Sequence, residues 1–174
     1  MVTIQKNSPW HNRAEVKRGD YGELLAQRYF ENKGFIVYSP VTDAPHGFDR
    51  YIYKDGKQYA LEVKTKAMCR KYPETGFDKR HYDRYCTMSK ENNMPVIIVF
   101  VDHEQRAMYG NTLSALNKPL FVEELGDKGH YPKFTTHKGG INPTVYFHKS
   151  SMKLFRNLTG TEVETLKLLS KETS

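Results

Sequence analysis

The sequence predicts an α/β fold in which one mixed sheet lies between helices. Three observations support this prediction: apolar residues at helical spacing from Asp20 to Lys33, two β-prone runs on either side of Asp55-Gly56, and an apolar run over 95–101. The apolar run is too short to span a bilayer and is typical of a buried strand. The resulting order of helix, strand, hairpin, helix and strand places one sheet between helical layers.

The remaining boundaries follow from local signals. Gly34 ends the first helix in the position that favours glycine, and Asp78 caps a second helix that reaches Lys90. The hairpin pairs Phe48–Lys54 with Lys57–Thr65. Further strands are expected over 35–38, 95–101, 106–109 and 144–148, with helices over 113–116 and 161–170. Residues 1–14, 39–47, 66–77 and most of 110–143 are expected to be irregular, because they are rich in turn-forming residues.

Composition indicates a polar, basic protein. The chain has 174 residues, 38% of them hydrophobic, and a net charge of +7. These values predict one soluble domain over 1–174, with a core at about 17–109 and a C-terminal extension over 110–174. Two cysteines without CxxC spacing indicate neither a disulfide framework nor a zinc site. The first residues lack the apolar stretch of a signal peptide, so we expect a cytoplasmic protein that does not enter a membrane.

Basic residues are concentrated in one part of the chain. Eight lysines and arginines lie between Lys64 and Lys90, against three acidic residues. A second basic group precedes the first helix. Such runs are often only a solvated surface. Beside a site for phosphodiester chemistry, however, they favour a nucleic-acid partner.

The hairpin brings two acidic residues together. If Asp55-Gly56 forms a two-residue turn, Lys54 faces Lys57 and Asp49 lies opposite Glu62, with Cβ atoms roughly 5 Å apart. Two carboxylates in that arrangement repel each other, and a divalent cation would remove the conflict. Lys64 lies two residues beyond Glu62 and therefore points to the same face. Oxygen ligands without thiolate or paired histidine select Mg²⁺ or Mn²⁺.

These residues resemble the PD-(D/E)xK nuclease superfamily, which has the restriction-endonuclease-like fold. The resemblance rests on Phe48-Asp49 and Glu62-Val63-Lys64, and it covers residues 17–102. The segment Gly19–Ala26 is similar to the first helix of Holliday-junction-resolvase-like members, where a glutamate at the position of Glu23 faces the site. The serine that such resolvases often carry in the next loop is absent, apart from Ser39. That difference affects the junction-specific interpretation more than the nuclease one.

The resemblance implies an αβββαβ core and a Mg²⁺-dependent deoxyribonuclease, with a homodimer as one option. Asp49, Glu62 and the Val63 carbonyl would hold the metal ion, and Glu23 could bind a second ion or orient water. Lys64 would stabilise charge on the phosphate. Contacts with DNA are expected from basic residues around this set: Arg18, Lys66, Arg70, Lys79 and Arg80.

Two other functions remain open. A catalytically inactive nucleic-acid-binding domain could keep the fold, although binding alone needs no paired carboxylates facing a phosphate. A hydrolase acting on another substrate could use the same metal, although the basic runs disfavour it. Individually, Glu23 could be an exposed helix charge, Lys64 an edge-strand charge and Asp49 a turn residue.

Overall fold

The structure is a computed structural model that describes residues 14–40, 47–135 and 143–171. Its helices are α1 (Ala14–Asn32), α2 (Lys79–Glu91), α3 (Leu113–Leu116) and α4 (Gly160–Lys171). Its strands are β1 (Ile36–Tyr38), β2 (Arg50–Lys54), β3 (Lys57–Thr65), β4 (Glu74–Asp78), β5 (Val96–Asp102), β6 (Ala107–Thr112), β7 (Leu120–Phe121), β8 (His130–Tyr131), β9 (Lys133–Thr135), β10 (Thr144–His148) and β11 (Lys153–Asn157).

The main sheet has six strands in the order β1-β2-β3-β5-β6-β11. Only the β3–β5 pair is parallel, so the sheet is mixed, as predicted. A parallel pair needs a crossover connection, and α2 lies in the segment that joins β3 to β5. The predicted αβββαβ order is confirmed, with β4 added before α2 in a second sheet of order β4-β10-β9.

The β2–β3 hairpin has the predicted register. Arg50 pairs with Leu61 and Lys54 with Lys57. The two turn residues, Asp55 and Gly56, have φ values of 51° and 75°. Positive φ at both central positions is the mark of a type I′ turn, whose twist matches that of the flanking strands.

The two faces of the main sheet pack against different layers. Leu61 and Val63 of β3 join a buried cluster with Leu25 and Ala26 of α1. Residues of the opposite parity face α2 and the second sheet, where Ala60 packs in a cluster with Tyr85 and other aromatic side chains. The alternation along β3 therefore directs Glu62 and Lys64 towards the α2 side.

Several predicted boundaries were wrong: β6 continues to Thr112, and β7, β8 and β9 lie in the segment 110–143 that we expected to be irregular apart from one short helix. Helix α1 begins at Ala14 rather than Asp20 and contains Gly19, where a Cβ would meet nothing outside its own helix within 4 Å. Strand β4 lies partly in the segment 66–77 that we expected to be irregular. Gly76 there faces β10 so closely that a Cβ would lie 1.8 Å from the Val145 carbonyl oxygen, so the glycine permits strand pairing. Strand β11 was not predicted.

Some predictions fall outside the described residues: most of the N-terminal arm, and the part of the 39–47 loop at 41–46. The region after residue 110 contributes β10 and β11, which pair with β4 and β6, and α4, which packs on α1. Among the residues described, no helix has the length and apolar character needed to cross a membrane.

Candidate active site

Glu62 is the centre of the candidate site. Its side chain is buried, with 3% of the residue exposed, on the α2 side of β3. The Tyr85 hydroxyl of α2 and the Lys64 amine both donate to Glu62 Oε1. A buried carboxylate is costly unless it is paired and hydrogen-bonded, and these two donors meet that need at one of its oxygens. The fold therefore holds Glu62 by contacts from its own strand and from α2.

Aromatic rings on the α2 side of the sheet also surround the Lys64 amine. Its Nζ lies 5.8 Å from the ring centroids of both Phe77 and Tyr85. Ring faces at this distance attract an ammonium group. The predicted convergence of Glu62 and Lys64 on one face is present, because strand alternation puts both on the side that α2 covers.

Asp49 reaches the site differently from the prediction. The β2–β3 ladder ends at Arg50–Leu61, so Asp49 is not a paired strand residue opposite Glu62. Instead, its Oδ2 accepts a hydrogen bond of 2.7 Å from the Val63 backbone N–H. Burial, followed by the carboxylates of Glu62 and Glu23, raises the pKa of Asp49 from 3.8 to about 7. The acidic residues therefore lie close enough to disfavour each other's charge.

Glu23 enters from α1 and pairs with Arg50 at 2.8 Å. Burial is the main cause of its raised pKa, which Arg50 opposes and the nearby Glu62 increases. The prediction that Glu23 approaches Glu62 from the first helix agrees with this electrostatic coupling. Arg50 Nη1 pairs with Glu23 Oε2, so a second ion at that oxygen would have to displace the guanidinium.

Gly22 explains how α1 comes so near to β3. A Cβ at Gly22 would lie 1.9 Å from Thr65 Oγ1, 3.1 Å from Thr65 Cβ and 3.3 Å from Thr65 Cγ2. Rotation of the threonine cannot relieve all three contacts, since its Cβ is fixed by the backbone. Gly22, directly before Glu23, therefore allows α1 to pack closely against β3, and this close packing brings the Glu23 carboxylate near the sheet.

The acidic residues supply the type of ligand atom that a divalent cation binds, but their side chains are not grouped around a common centre in this structure. Among residues 14–40, 47–135 and 143–171, no three His, Cys, Asp or Glu side chains are grouped so as to hold a metal ion. Glu62 is engaged by Lys64, and Glu23 by Arg50. However, carboxylate oxygens are the ligands that Mg²⁺ prefers. Burial and the neighbouring carboxylates of Glu62 and Glu23 raise the pKa of Asp49, and a bound cation would favour its ionised form.

The five predicted nucleic-acid contacts divide into two groups. Lys66 donates to the Gly76 carbonyl at 2.8 Å, and Arg18 donates to Ser170 Oγ at 3.2 Å, so both side chains are tied to the fold. Arg70, Lys79 and Arg80 lie on the surface with side-chain exposures of 89%, 36% and 67%. Their acidic partners are neighbouring surface residues, and such surface pairs are weak. These three side chains are the ones that a bound polyanion could reach.

Sequence reasoning missed two residues of this site. Tyr85 packs in the core, and its hydroxyl also donates to Glu62. Arg50 was not singled out, yet it pairs with Glu23 and donates to the Asp49 carbonyl at 2.7 Å. Only the position of Arg50 directly after Asp49 could have drawn attention to it. Nothing local to α2 indicates that Tyr85 meets β3.

Comparison with known proteins supports the fold alone. Neither a protein-family model nor a curated protein sequence matches this chain. Among solved structures, the chain is similar to Hjc of Archaeoglobus fulgidus, a Holliday junction resolvase from an archaeal hyperthermophile. The match has a TM-score of 0.50 and 9% sequence identity, and it covers 77% of this chain and 86% of the resolvase chain. The chain therefore shares the overall fold of that structure.

Proposed function

We propose that this protein is a metal-dependent endonuclease that hydrolyses phosphodiester bonds of DNA, with branched DNA as a candidate substrate. The observation that carries the proposal is the excess of carboxylates at one end of the hairpin: Glu62, Asp49 and Glu23 against two cations, Lys64 and Arg50. A purely structural cluster would balance its charges, because an unbalanced buried carboxylate destabilises the fold. The resolvase-like fold supports the same proposal.

Each residue then has a defined task. Asp49 and Glu62, with the Val63 carbonyl, would hold Mg²⁺ or Mn²⁺, and Glu23 would hold a second ion or orient water. A bound ion would polarise the phosphate and lower the pKa of its water. Lys64 keeps its ammonium group between Glu62 and two aromatic rings, where it can stabilise negative charge that develops on the phosphate.

Asp49 contributes through its ionisation. With a pKa of about 7, its carboxyl is partly protonated at neutral pH. A nearby cation favours the ionised form of an acid. The hydrogen bond from Val63 N–H fixes one Asp49 oxygen, which leaves the other to face a ligand.

The test is a cleavage panel of four-way junction, flap, single-stranded and duplex DNA, with structured RNA for comparison, in Mg²⁺, Mn²⁺ or chelator. We expect cleavage of DNA that the chelator abolishes. Glu62→Gln should lower the rate by at least about 100-fold, the order of loss seen when one charge-stabilising group is removed from an active site. Glu74→Gln is the matched control, since Glu74 is equally buried but lies in the second sheet.

Near-wild-type cleavage by Glu62→Gln, or cleavage that persists in chelator, would contradict the proposal once contaminating nucleases are removed. The alternative function is a nucleic-acid-binding domain without catalysis. One observation favours it: Glu62 and Glu23 are each paired with a cation, and within the described part of the chain no three metal-ligating side chains are grouped around an empty centre. DNA binding without cleavage in every metal would support that alternative.

A further inference from the structure

Arg84 of α2 is exposed to solvent and directly precedes Tyr85, the buried residue whose hydroxyl donates to Glu62. Consecutive residues of an α-helix point about 100° apart, so Arg84 reaches solvent while the next side chain reaches the sheet. An exposed cation at such a position either belongs to the general solvated surface or borders the candidate site. The neighbours of the Arg84 guanidinium distinguish these two cases.

The guanidinium of Arg84 lies against the segment that leads into Asp49. A Cβ at Gly47 would lie 3.9 Å from Arg84 Nη2. Gly47 is two residues before Asp49, and Phe48 between them packs on the Tyr85 ring, with ring centroids 5.3 Å apart. Arg84 Nη2 is therefore placed where the segment 47–49 meets α2, beside the chain that carries one of the site carboxylates.

The charge of Arg84 also acts on the Tyr85 hydroxyl. Burial is the largest cause of the raised pKa of this hydroxyl, the carboxylates of Glu62 and Asp49 raise it as well, and the positive charge of Arg84 opposes them. Coulomb interactions of this kind weaken with distance and with exposure to water. The hydroxyl that donates to Glu62 is thus within the electrostatic reach of both carboxylates and of Arg84.

The described part of the fold does not use the charge of Arg84. Two other basic residues of α2 have acidic partners: Lys79 Nζ lies 2.6 Å from Asp83 Oδ2, and Arg80 Nη2 lies 2.9 Å from Asp78 Oδ2. No carboxylate of the described residues forms an ion pair with Arg84. A guanidinium can donate two parallel hydrogen bonds to one phosphate group, so its charge and its geometry both suit an anionic ligand of that kind.

We infer that Arg84 binds a backbone phosphate of the DNA next to the phosphate that lies at Glu62 and Asp49. This inference rests on the proposed function. Successive phosphates of one strand advance by about 3.4 Å along a duplex, so a cation at the border of the site meets a neighbour of the reacting phosphate. Lys64 bonds Glu62 itself, whereas Arg84 forms no ion pair with either carboxylate. Arg84 therefore holds the strand, and Lys64 stabilises the charge of the transition state.

The first experiment measures binding without cleavage over a salt series, using the full chain in Ca²⁺, or in chelator if Ca²⁺ supports cleavage. The probes are fluorescein-labelled four-way junctions and duplexes, each in two unrelated sequences. Arg84→Gln should weaken binding about tenfold and lower the salt slope by about one, because one phosphate contact is lost. The loss should be equal for both sequences, since a phosphate contact reads no base.

Lys90→Gln is the matched control, because Lys90 is also exposed on α2 but lies in its last turn. It removes the same charge and should leave affinity and salt slope unchanged. Arg84→Lys keeps the charge but not the fork of two donors, so its affinity should lie between those of the wild type and Arg84→Gln. In Mg²⁺, Arg84→Gln should raise KM and change kcat little, because the contact is the same before and during the reaction.

Three results would overturn the inference: unchanged affinity and salt slope in Arg84→Gln, an equal loss in Lys90→Gln, or a lower thermal midpoint in Arg84→Gln. The second would leave only the net charge of the chain, and the third would give Arg84 a role in stability. If DNA is cleaved while Arg84→Gln binds like the wild type, only the inference fails. If Arg84→Gln loses affinity as expected but the wild type cleaves no DNA in any metal, only the proposed function fails.

Discussion

Two buried glutamates of this protein have nearly the same immediate partners. Glu62 accepts from Lys64 and Tyr85, and Glu74 accepts from Lys133 and the Tyr131 hydroxyl. They are 3% and 4% exposed. Each therefore has one ammonium group and one phenol, and a list of contacts alone would give both the same role.

The wider surroundings separate the two glutamates. Beside Glu62 lie the carboxylates of Asp49 and Glu23, and the pKa of Asp49 is raised first by burial and then by Glu62 and Glu23. Around Glu74, the Lys133 amine instead lies over three rings, with Nζ at 5.2 Å from Tyr72, 4.9 Å from Tyr131 and 5.9 Å from Tyr146. The Glu74 cluster is a charge-balanced pair inside an aromatic layer.

This comparison shows that a buried ion pair does not by itself mark a functional site. A balanced pair can be retained for the fold, whereas an excess of like charge raises the free energy of the folded state. The Glu62 cluster has that excess and the Glu74 cluster does not. We therefore assign chemistry to the first and stability to the second, and three predictions test the assignment.

The largest effect is expected at Lys133. Lys133→Met leaves Glu74 buried without its cation, which should lower the free energy of unfolding by about 3–5 kcal/mol. Chemical denaturation measures the loss. The exposed Lys149→Met is the control and should change stability little. Cleavage per folded molecule should be unchanged in Lys133→Met, and a loss of cleavage without a loss of stability would reverse the assignment.

The two tyrosine hydroxyls give the next largest effect. Tyr85→Phe and Tyr131→Phe each remove one hydrogen bond to a buried carboxylate, and each should cost about 1.5–3 kcal/mol of stability. Only Tyr85→Phe should also lower turnover, by about tenfold, because of the two glutamates only Glu62 belongs to the proposed catalytic site. Equal turnover in the two variants would show that the Tyr85 hydroxyl does not position Glu62 for the reaction.

The parts of this design that depend on local signals could be predicted from the sequence. The Asp55-Gly56 turn fixes the register of its hairpin, and strand alternation then places Glu62 and Lys64 together. Contacts between distant segments could not be predicted. The Tyr85 bond to Glu62 depends on how α2 docks, and the β4–β10 pair depends on the close approach at Gly76.

The same limit explains the error at Asp49. If the hairpin register continued by one residue, Asp49 would pair with Glu62. The ladder ends at Arg50, however, and the chain bends there. The Asp49 carboxylate then takes the Val63 N–H that a further strand residue would have bonded. Local pattern pointed to Asp49 as a candidate site residue, while the geometry of its side chain is set by the end of the strand.

The smallest effect is expected in the pH dependence of stability, and it tests the charge excess directly. The folded-state pKa of Asp49 is about 7, above the ordinary value of 3.8, so between these values the folded chain binds more protons at this group than the unfolded chain. Stability from this group must then fall as the pH rises from about 4 to 7. Asp49→Asn removes the titration and keeps an oxygen that can accept from Val63 N–H.

The Asp49→Asn variant should therefore match the wild type near pH 4 and exceed its stability at pH 8. We expect a gain of at least about 1.4 kcal/mol, the equivalent of one pKa unit. Asp78→Asn provides a control of opposite sign, because hydrogen bonding to Arg80 lowers the pKa of Asp78. That variant should be less stable than the wild type at pH 8, with a difference that shrinks in acid. If Asp49→Asn instead lost stability at pH 8, the Glu62 cluster would be charge-balanced like the Glu74 cluster, and the argument for a cation at this site would fail.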